Sequence, residues 1–198
     1  AGHDWGYNSP GHHLWGAIDP EGGVIIYREY AFRNLDPQQI AQSILYHQGQ
    51  ERITTTWADP SIWAERRKAD LTQEQLDRLL EDGRLVLSKA DQYAKAGLHC
   101  QPANNQRIAG KQRIHTLLKP RLDGVPWLRI MENCPVLIRT MQNIQLDPDR
   151  PEDVLTDYLP EDDMRDDAYD ALRYLLMGVP AQATPEVGTE SIAAKWGF

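Results

Sequence analysis

The stretch Asp19-Pro20-Glu21-Gly22-Gly23 constrains this chain more than any other. Pro and paired Gly between two β-rich segments turn a chain back on itself as a hairpin. The flanking segments are His13–Asp19 and Val24–Tyr30, the second rich in Val, Ile and Tyr. An earlier turn cluster, Gly6–Gly11, separates residues 1–7 from them, so the chain opens as a three-strand antiparallel meander. Helices and strands then alternate. Asp36 is placed to cap a helix with Pro37 in its first turn, and Ile40, Ile44 and Leu45 recur at helical spacing. Ile53–Ala58 is short and β-branched and reads as a buried strand, ending at the turn Asp59-Pro60-Ser61. Helices are predicted over Trp63–Ala69 and from Thr72 to Gly83, with a short strand at Leu85–Leu87. A long helix follows, capped by Asn104 or Asn105, running to Leu118 and ended by Pro120. Its expected core face is Ile108, Ile114, Leu117 and Leu118. A strand at Trp127–Met131, a helix at Pro135–Asn143, a polar acidic loop over 146–165 and a last helix at Asp167–Met177 complete the pattern. A meander followed by alternating helices and strands predicts an α/β fold with a mixed central sheet flanked by helices.

The 198 residues, 41% of them hydrophobic, suit one globular domain over 1–178 and a flexible tail over 179–198. The two cysteines, Cys100 and Cys134, cannot build a disulfide framework, which fits a reducing compartment. The longest apolar runs, Val24–Tyr27 and Leu175–Met177, are far too short to cross a membrane. Neither a Gly-x-Gly-x-x-Gly turn nor a Gly-x-x-x-x-Gly-Lys-Ser/Thr loop is present, so nucleotide binding by those routes is not expected. The chain lacks an initiator Met, from which we expect an excised or processed domain.

The net charge of −8 is unevenly spread. Residues 147–170 hold eleven acids against Arg150 and Arg165, a local charge of −9. Residues 101–139 hold seven bases against Asp123 and Glu132, a local charge of +5. One region is suited to cations and the other to phosphates, although charge runs are commonly just solvated faces.

Three acidic positions stand where a solvated face explains them poorly: Asp4 in the first strand, Asp59 directly after the fourth, and Asp166, Asp167 and Asp170 opening the last helix. Each has a plainer role alone. Asp166 and Asp167 suit helix caps, Asp59 suits a turn, and Asp4 suits an edge strand. Together they form a set of carboxylates that persists at one sheet edge only with cations between them. Hard divalent ions such as Mg²⁺ take such oxygen ligands, and a pair of them can drive phosphodiester hydrolysis.

Four motifs make the pattern specific: Gly2-His3-Asp4-Trp5-Gly6, Ala58-Asp59-Pro60-Ser61, the stretch Pro102–Gly110, and Asp166-Asp167-Ala168-Tyr169-Asp170-Ala171-Leu172-Arg173-Tyr174. In this order they resemble the C-terminal nuclease domain of the large terminase subunit of tailed double-stranded DNA phages, within the ribonuclease H-like superfamily. Members often carry His at the position of Asp167. The resemblance spans roughly residues 1–178 and implies a divalent-metal-dependent DNA endonuclease, using two Mg²⁺ or Mn²⁺ ions, that cuts concatemeric viral DNA during packaging. It implies that Asp4 bridges both ions, that Asp59 holds one and Asp167 the other, and that Asp166 and Asp170 are further or supporting ligands. It places Arg107, Lys111 and Arg113 on DNA phosphates. It also implies an N-terminal ATPase motor not in this chain, portal and small-subunit partners, no membrane, and action in the host cell cytoplasm.

Two other readings remain: another ribonuclease H-like nuclease of the resolvase or integrase type, and a non-catalytic domain that docks on DNA or a portal. His3, His12 and His13 lie near Asp4 but do not form the N/S cage that Zn²⁺ needs. Trp5, Trp57 and Trp63 read as core walls, Arg173 and Tyr174 as packing or pairing residues, and Lys89 as a surface lysine.

Overall fold

The computed structural model describes residues 1–64, 74, 88–155 and 166–180. The opening meander consists of β1 (Gly2–Asp4), β2 (Gly11–Ile18) and β3 (Val24–Phe32), paired antiparallel in turn. Asp19 closes the β2–β3 turn: its carboxylate accepts from the backbone N–H of Gly23, and its own N–H donates to the Gly23 carbonyl. Helix α1 (Pro37–Gln48) starts at a reciprocal cap, with Asp36 accepting from Gln39 N at 2.9 Å and Gln39 accepting from Asp36 N at 3.0 Å.

After α1 come β4 (Thr56–Ala58), a 3₁₀ turn at Pro60–Trp63, α2 (Lys89–Lys95), β5 (Cys100–Pro102), α3 (Arg107–Leu117), β6 (Leu128–Ile130), α4 (Pro135–Asn143) and α5 (Asp167–Gly178). The six strands described lie in the order β5-β4-β1-β2-β3-β6. β4 runs parallel to β1, β5 parallel to β4, and β6 parallel to β3. All strands except β2 therefore point the same way. The carboxyl ends of β1, β4 and β5 then open on one edge of the sheet.

Side chains alternate across the strands, so the sheet feeds two apolar layers. Leu14, Val24 and Ile26 join Leu128, Ile114, Leu137 and the inner face of α5. Trp15, Phe32 and Ala58 join Ile40, Ile44 and Ile62 and reach Tyr93 on α2. The result is a mixed sheet between two helical layers, as the alternation of elements predicts.

Several local expectations change. The strand expected over Ile53–Ala58 is only Thr56–Ala58. The long helix begins at Arg107 rather than after Asn104 or Asn105. Asn104 instead accepts from Gln106 N, and Asn105 accepts from Arg173 Nη2 at 3.0 Å. Its buried residues are Gly110, Lys111, Ile114 and Leu117, while Ile108 and Leu118 are 43% and 42% exposed. Gly110 permits this packing, because a Cβ there would collide with the Arg173 stem. β5 and α2 are additions that apolar periodicity does not reveal. Most of the helices expected at 63–69 and 72–83 (of the latter only Glu74 is described, and it is helical), the strand Leu85–Leu87, and residues 181–198 of the expected tail lie outside the described residues.

Helix α5 lies across β1 and β2. A Cβ at Gly2 would strike the carbonyl oxygen of Ala171 and crowd Leu175, so only glycine allows this approach. Gly2→Ala is expected to lower unfolding stability by about 1–3 kcal/mol, through overpacking of a rigid backbone contact. Urea denaturation followed by circular dichroism measures it, and a change within error would contradict the close approach.

Candidate functional site

The sheet delivers acids to its carboxyl edge. Asp4 ends β1, opposite His12 of β2, and is buried. Asp59 follows β4, and its backbone N–H donates to the His3 carbonyl at 3.1 Å, which fixes it beside Asp4. The Asp59 carboxylate accepts from Ser61 N at 2.9 Å and Ser61 Oγ at 2.6 Å, capping the 3₁₀ turn. Asp166 precedes α5, while Asp167 and Asp170 occupy its first turn. There the helix dipole favours negative charge.

Electrostatics ties these residues together. Burial holds the Asp4 carboxyl well above the usual carboxylate range, and Asp170, Asp167, Asp59 and Asp166, in that order, push it further. The Tyr174 hydroxyl is also raised, by burial first and then by Asp4, Asp170 and Asp59. Acids from β1, β4 and α5 thus converge. Among the described residues, however, no three acidic, His or Cys side chains already meet at one point as an ion's ligands would.

A guanidinium stands among the α5 acids instead. Arg107, at the start of α3, donates from Nε to Asp153 at 3.0 Å, from Nη1 to Asp170 at 3.0 Å and from Nη2 to Asp166 at 3.2 Å. Burial opposes the Arg107 charge, but Asp170, Asp166 and Asp153 outweigh it and hold the group firmly protonated. On the far side of Asp170, the buried Arg173 donates from Nε at 3.0 Å. Asp170 is therefore gripped by two arginines, and Arg173 pairs as its sequence position suggests.

The other basic candidates turn inward. Lys111 is buried, and its Nζ donates to the carbonyls of Pro151 at 3.1 Å and Asp153 at 3.4 Å. Arg113 donates to the carbonyls of Leu176, Val179 and Pro180, tying the end of α5 to α3. Lys89 lies 4.2 Å from the centroid of the Trp5 ring. Asp153, buried and bonded to Arg107, is the residue the sequence did not single out. It is one of eleven acids in a charged run, and nothing in its spacing distinguishes it.

The histidines beside Asp4 serve the core. His3 Nε2 meets the Tyr93 hydroxyl at 3.1 Å, and His13 Nδ1 meets His3 Nδ1 at 3.3 Å. Burial, and then His12, push His3 down to about 3, so its ring is neutral. His3 also stacks on Phe32, and His13 packs edge-on against Trp15. His12 pairs with Glu29 at 3.1 Å.

No family model matches the sequence, and no curated protein is significantly similar to it. Solved structures are more informative. The nuclease domain of the P22 large terminase is 17% identical, with a TM-score of 0.59 over 88% of this chain and 77% of that one. The large terminase of a thermophilic bacteriophage, in complex with ADP, is 15% identical, with a TM-score of 0.58 over 90% of this chain and 38% of that one. Another crystal form of the same thermophilic phage protein gives a TM-score of 0.56 at 13% identity, over 88% of this chain and 37% of that one. The architecture is thus a ribonuclease H-like α/β fold. More narrowly, it is the fold of the nuclease domain of phage large terminases, and the chain spans under two fifths of the length of the thermophilic phage protein.

The raised Asp4 carboxyl gives a testable sign. The folded state holds this proton more tightly than the unfolded chain, so the group's contribution is most favourable at acid pH and is lost as pH rises. Without divalent ions, Asp4→Asn is expected to melt at a higher temperature than the native chain at neutral pH, with the gap closing toward acid pH. Differential scanning calorimetry across pH reads this directly, and a lower melting temperature for the variant at neutral pH would contradict it.

Proposed function

We propose that this chain is the nuclease domain of a DNA-packaging terminase, a divalent-metal-dependent endonuclease acting on double-stranded DNA. The observation that carries the reading is the convergence of Asp4, Asp59 and the α5 acids on one sheet edge, with Asp4 buried among like charges. A buried carboxylate in such company is stable in its charged form only beside a cation. The donor set is all oxygen, which suits Mg²⁺ or Mn²⁺ rather than a softer metal.

Asp4, central to the set, and Asp59 beside it would hold divalent ions at this edge. On the α5 side Asp167 would complete the set, with Asp166 and Asp170 as further or supporting ligands. A pair of such ions held there would supply charge to activate a water and to stabilise the leaving oxygen of a phosphodiester. The protein's own contribution is orientation. Ser61 and the 3₁₀ turn fix Asp59, while the buried Arg173 fixes Asp170. Arg107, with a side chain 25% exposed, is the base best placed to meet a DNA phosphate. Lys111 and Arg113 would add positive potential along α3 while their donors bond to backbone carbonyls. The wider assembly in this reading includes an ATPase motor domain, a portal and a small terminase subunit, working in the host cell cytoplasm.

A docking domain with its aspartates as caps is the second reading, favoured by the bonds from Ser61 to Asp59. One assay separates the two. Supercoiled plasmid with Mn²⁺ or Mg²⁺ should be nicked and linearised by the native chain, and chelation should stop the reaction. Asp4→Ala should lose at least about 100-fold in rate, the scale for removing one charge-stabilising group. Failure of the native chain to cut, or equal cutting by Asp4→Ala, would favour docking. DNA binding should weaken steeply with added salt, as phosphate contacts require, and filter binding at increasing NaCl checks this.

A further inference from the structure

Arg107 is bonded in an unusual way for a residue expected to face DNA. Its three donor nitrogens are shared among three carboxylates, those of Asp153, Asp166 and Asp170. Two of those acids belong to the α5 set proposed above for ions, and the third does not. Asp153 is buried and anchored from behind: its Oδ1 accepts from Val154 N at 2.8 Å, and its carbonyl accepts from the Lys111 ammonium. Arg107 is therefore tethered to a fixed point outside the acid set while its other two nitrogens reach into it.

We propose that Arg107 is a resident cation of the acidic site, competing with divalent ions for Asp166 and Asp170 and so controlling how readily the α5 side fills. The inference rests on the metal-dependent reading above. Its physical basis is charge. A guanidinium bonded at 3.0 Å to Asp170 neutralises part of the field that would attract an ion, and it uses lone pairs that an ion would need. It also accounts for two findings together: like-charged acids coexist at this edge, yet among the described residues no three acidic, His or Cys side chains meet at a point. The Arg107 side chain is 25% exposed, so it borders solvent, from which a phosphate could approach it. Arg173 cannot be reached in this way, because it is buried beneath α3 against Gly110.

The test is Mn²⁺ binding to the whole chain by isothermal titration calorimetry, with water-proton relaxation as a second measure of bound ion. Arg107→Met keeps the length of the stem and removes the charge. It should bind Mn²⁺ at least about tenfold more tightly than the native chain, because a competing charge within bonding distance is gone. A purely structural role for Arg107 predicts the opposite, unchanged or weaker binding by a folded variant, and that result overturns the proposal. If circular dichroism shows Arg107→Met unfolded, Arg107→Lys takes its place. Loss of the three-way fork should still tighten binding, and unchanged affinity overturns the idea. Native chain that binds Mn²⁺ without response to either variant rejects the competition alone. Absence of Mn²⁺ binding by the native chain and both variants rejects the metal reading and the competition together.

Discussion

Everything at the acidic edge depends on how closely α5 lies on β1. The helix carries Asp166, Asp167 and Asp170, the strand carries Asp4, and the two backbones approach until only hydrogen fits at Gly2. Moved outward by the width of a methyl group, α5 would carry its acids away from Asp4, and the mutual repulsion would relax. Apolar burial opposes that repulsion. Ala171, Leu172, Leu175 and Leu176 are buried in the layer beneath the sheet, and their removal from water holds the charged first turn where its charges resist being held. The site is a local strain on the fold, offset by the apolar remainder of the same helix.

Polarity is arranged with similarly few parts. Three adjacent strands ending on one edge follow from β1, β4 and β5 running parallel. The meander makes this possible because β2 alone runs backwards. One tight turn at Asp19–Gly23 thus fixes the direction of β3, and β6 follows it on the far side. Arginines then complete the charge balance: Arg107 and Arg173 grip Asp170 from two sides.

The meander, α1, α4 and α5 were legible in the sequence because each carries its own punctuation: Pro-Gly turns, the Asp36 cap, Pro135, and a run of acids before an apolar stretch. β5 was not, since Cys100-Gln101-Pro102 has neither alternation nor branching, and only its parallel partner makes it a strand. α2 was missed for a similar reason, its seven residues being too few to show a period. At the site, Asp4, Asp59 and the α5 acids could be named from their places relative to the strands. The inward turn of Arg107, Lys111 and Arg113 could not, because a basic residue on a helix looks alike in sequence whether it meets water, a phosphate or a carboxylate. Only the packing of α3 on α5, permitted by Gly110 against Arg173, decides which way that face looks.

The margins of the sheet have a consequence of their own. Both outermost strands described, β5 and β6, are three residues long, and β5 stops at a proline while β6 carries Arg129. Short margins with a ring that cannot donate or a bulky charge make poor templates for a further strand.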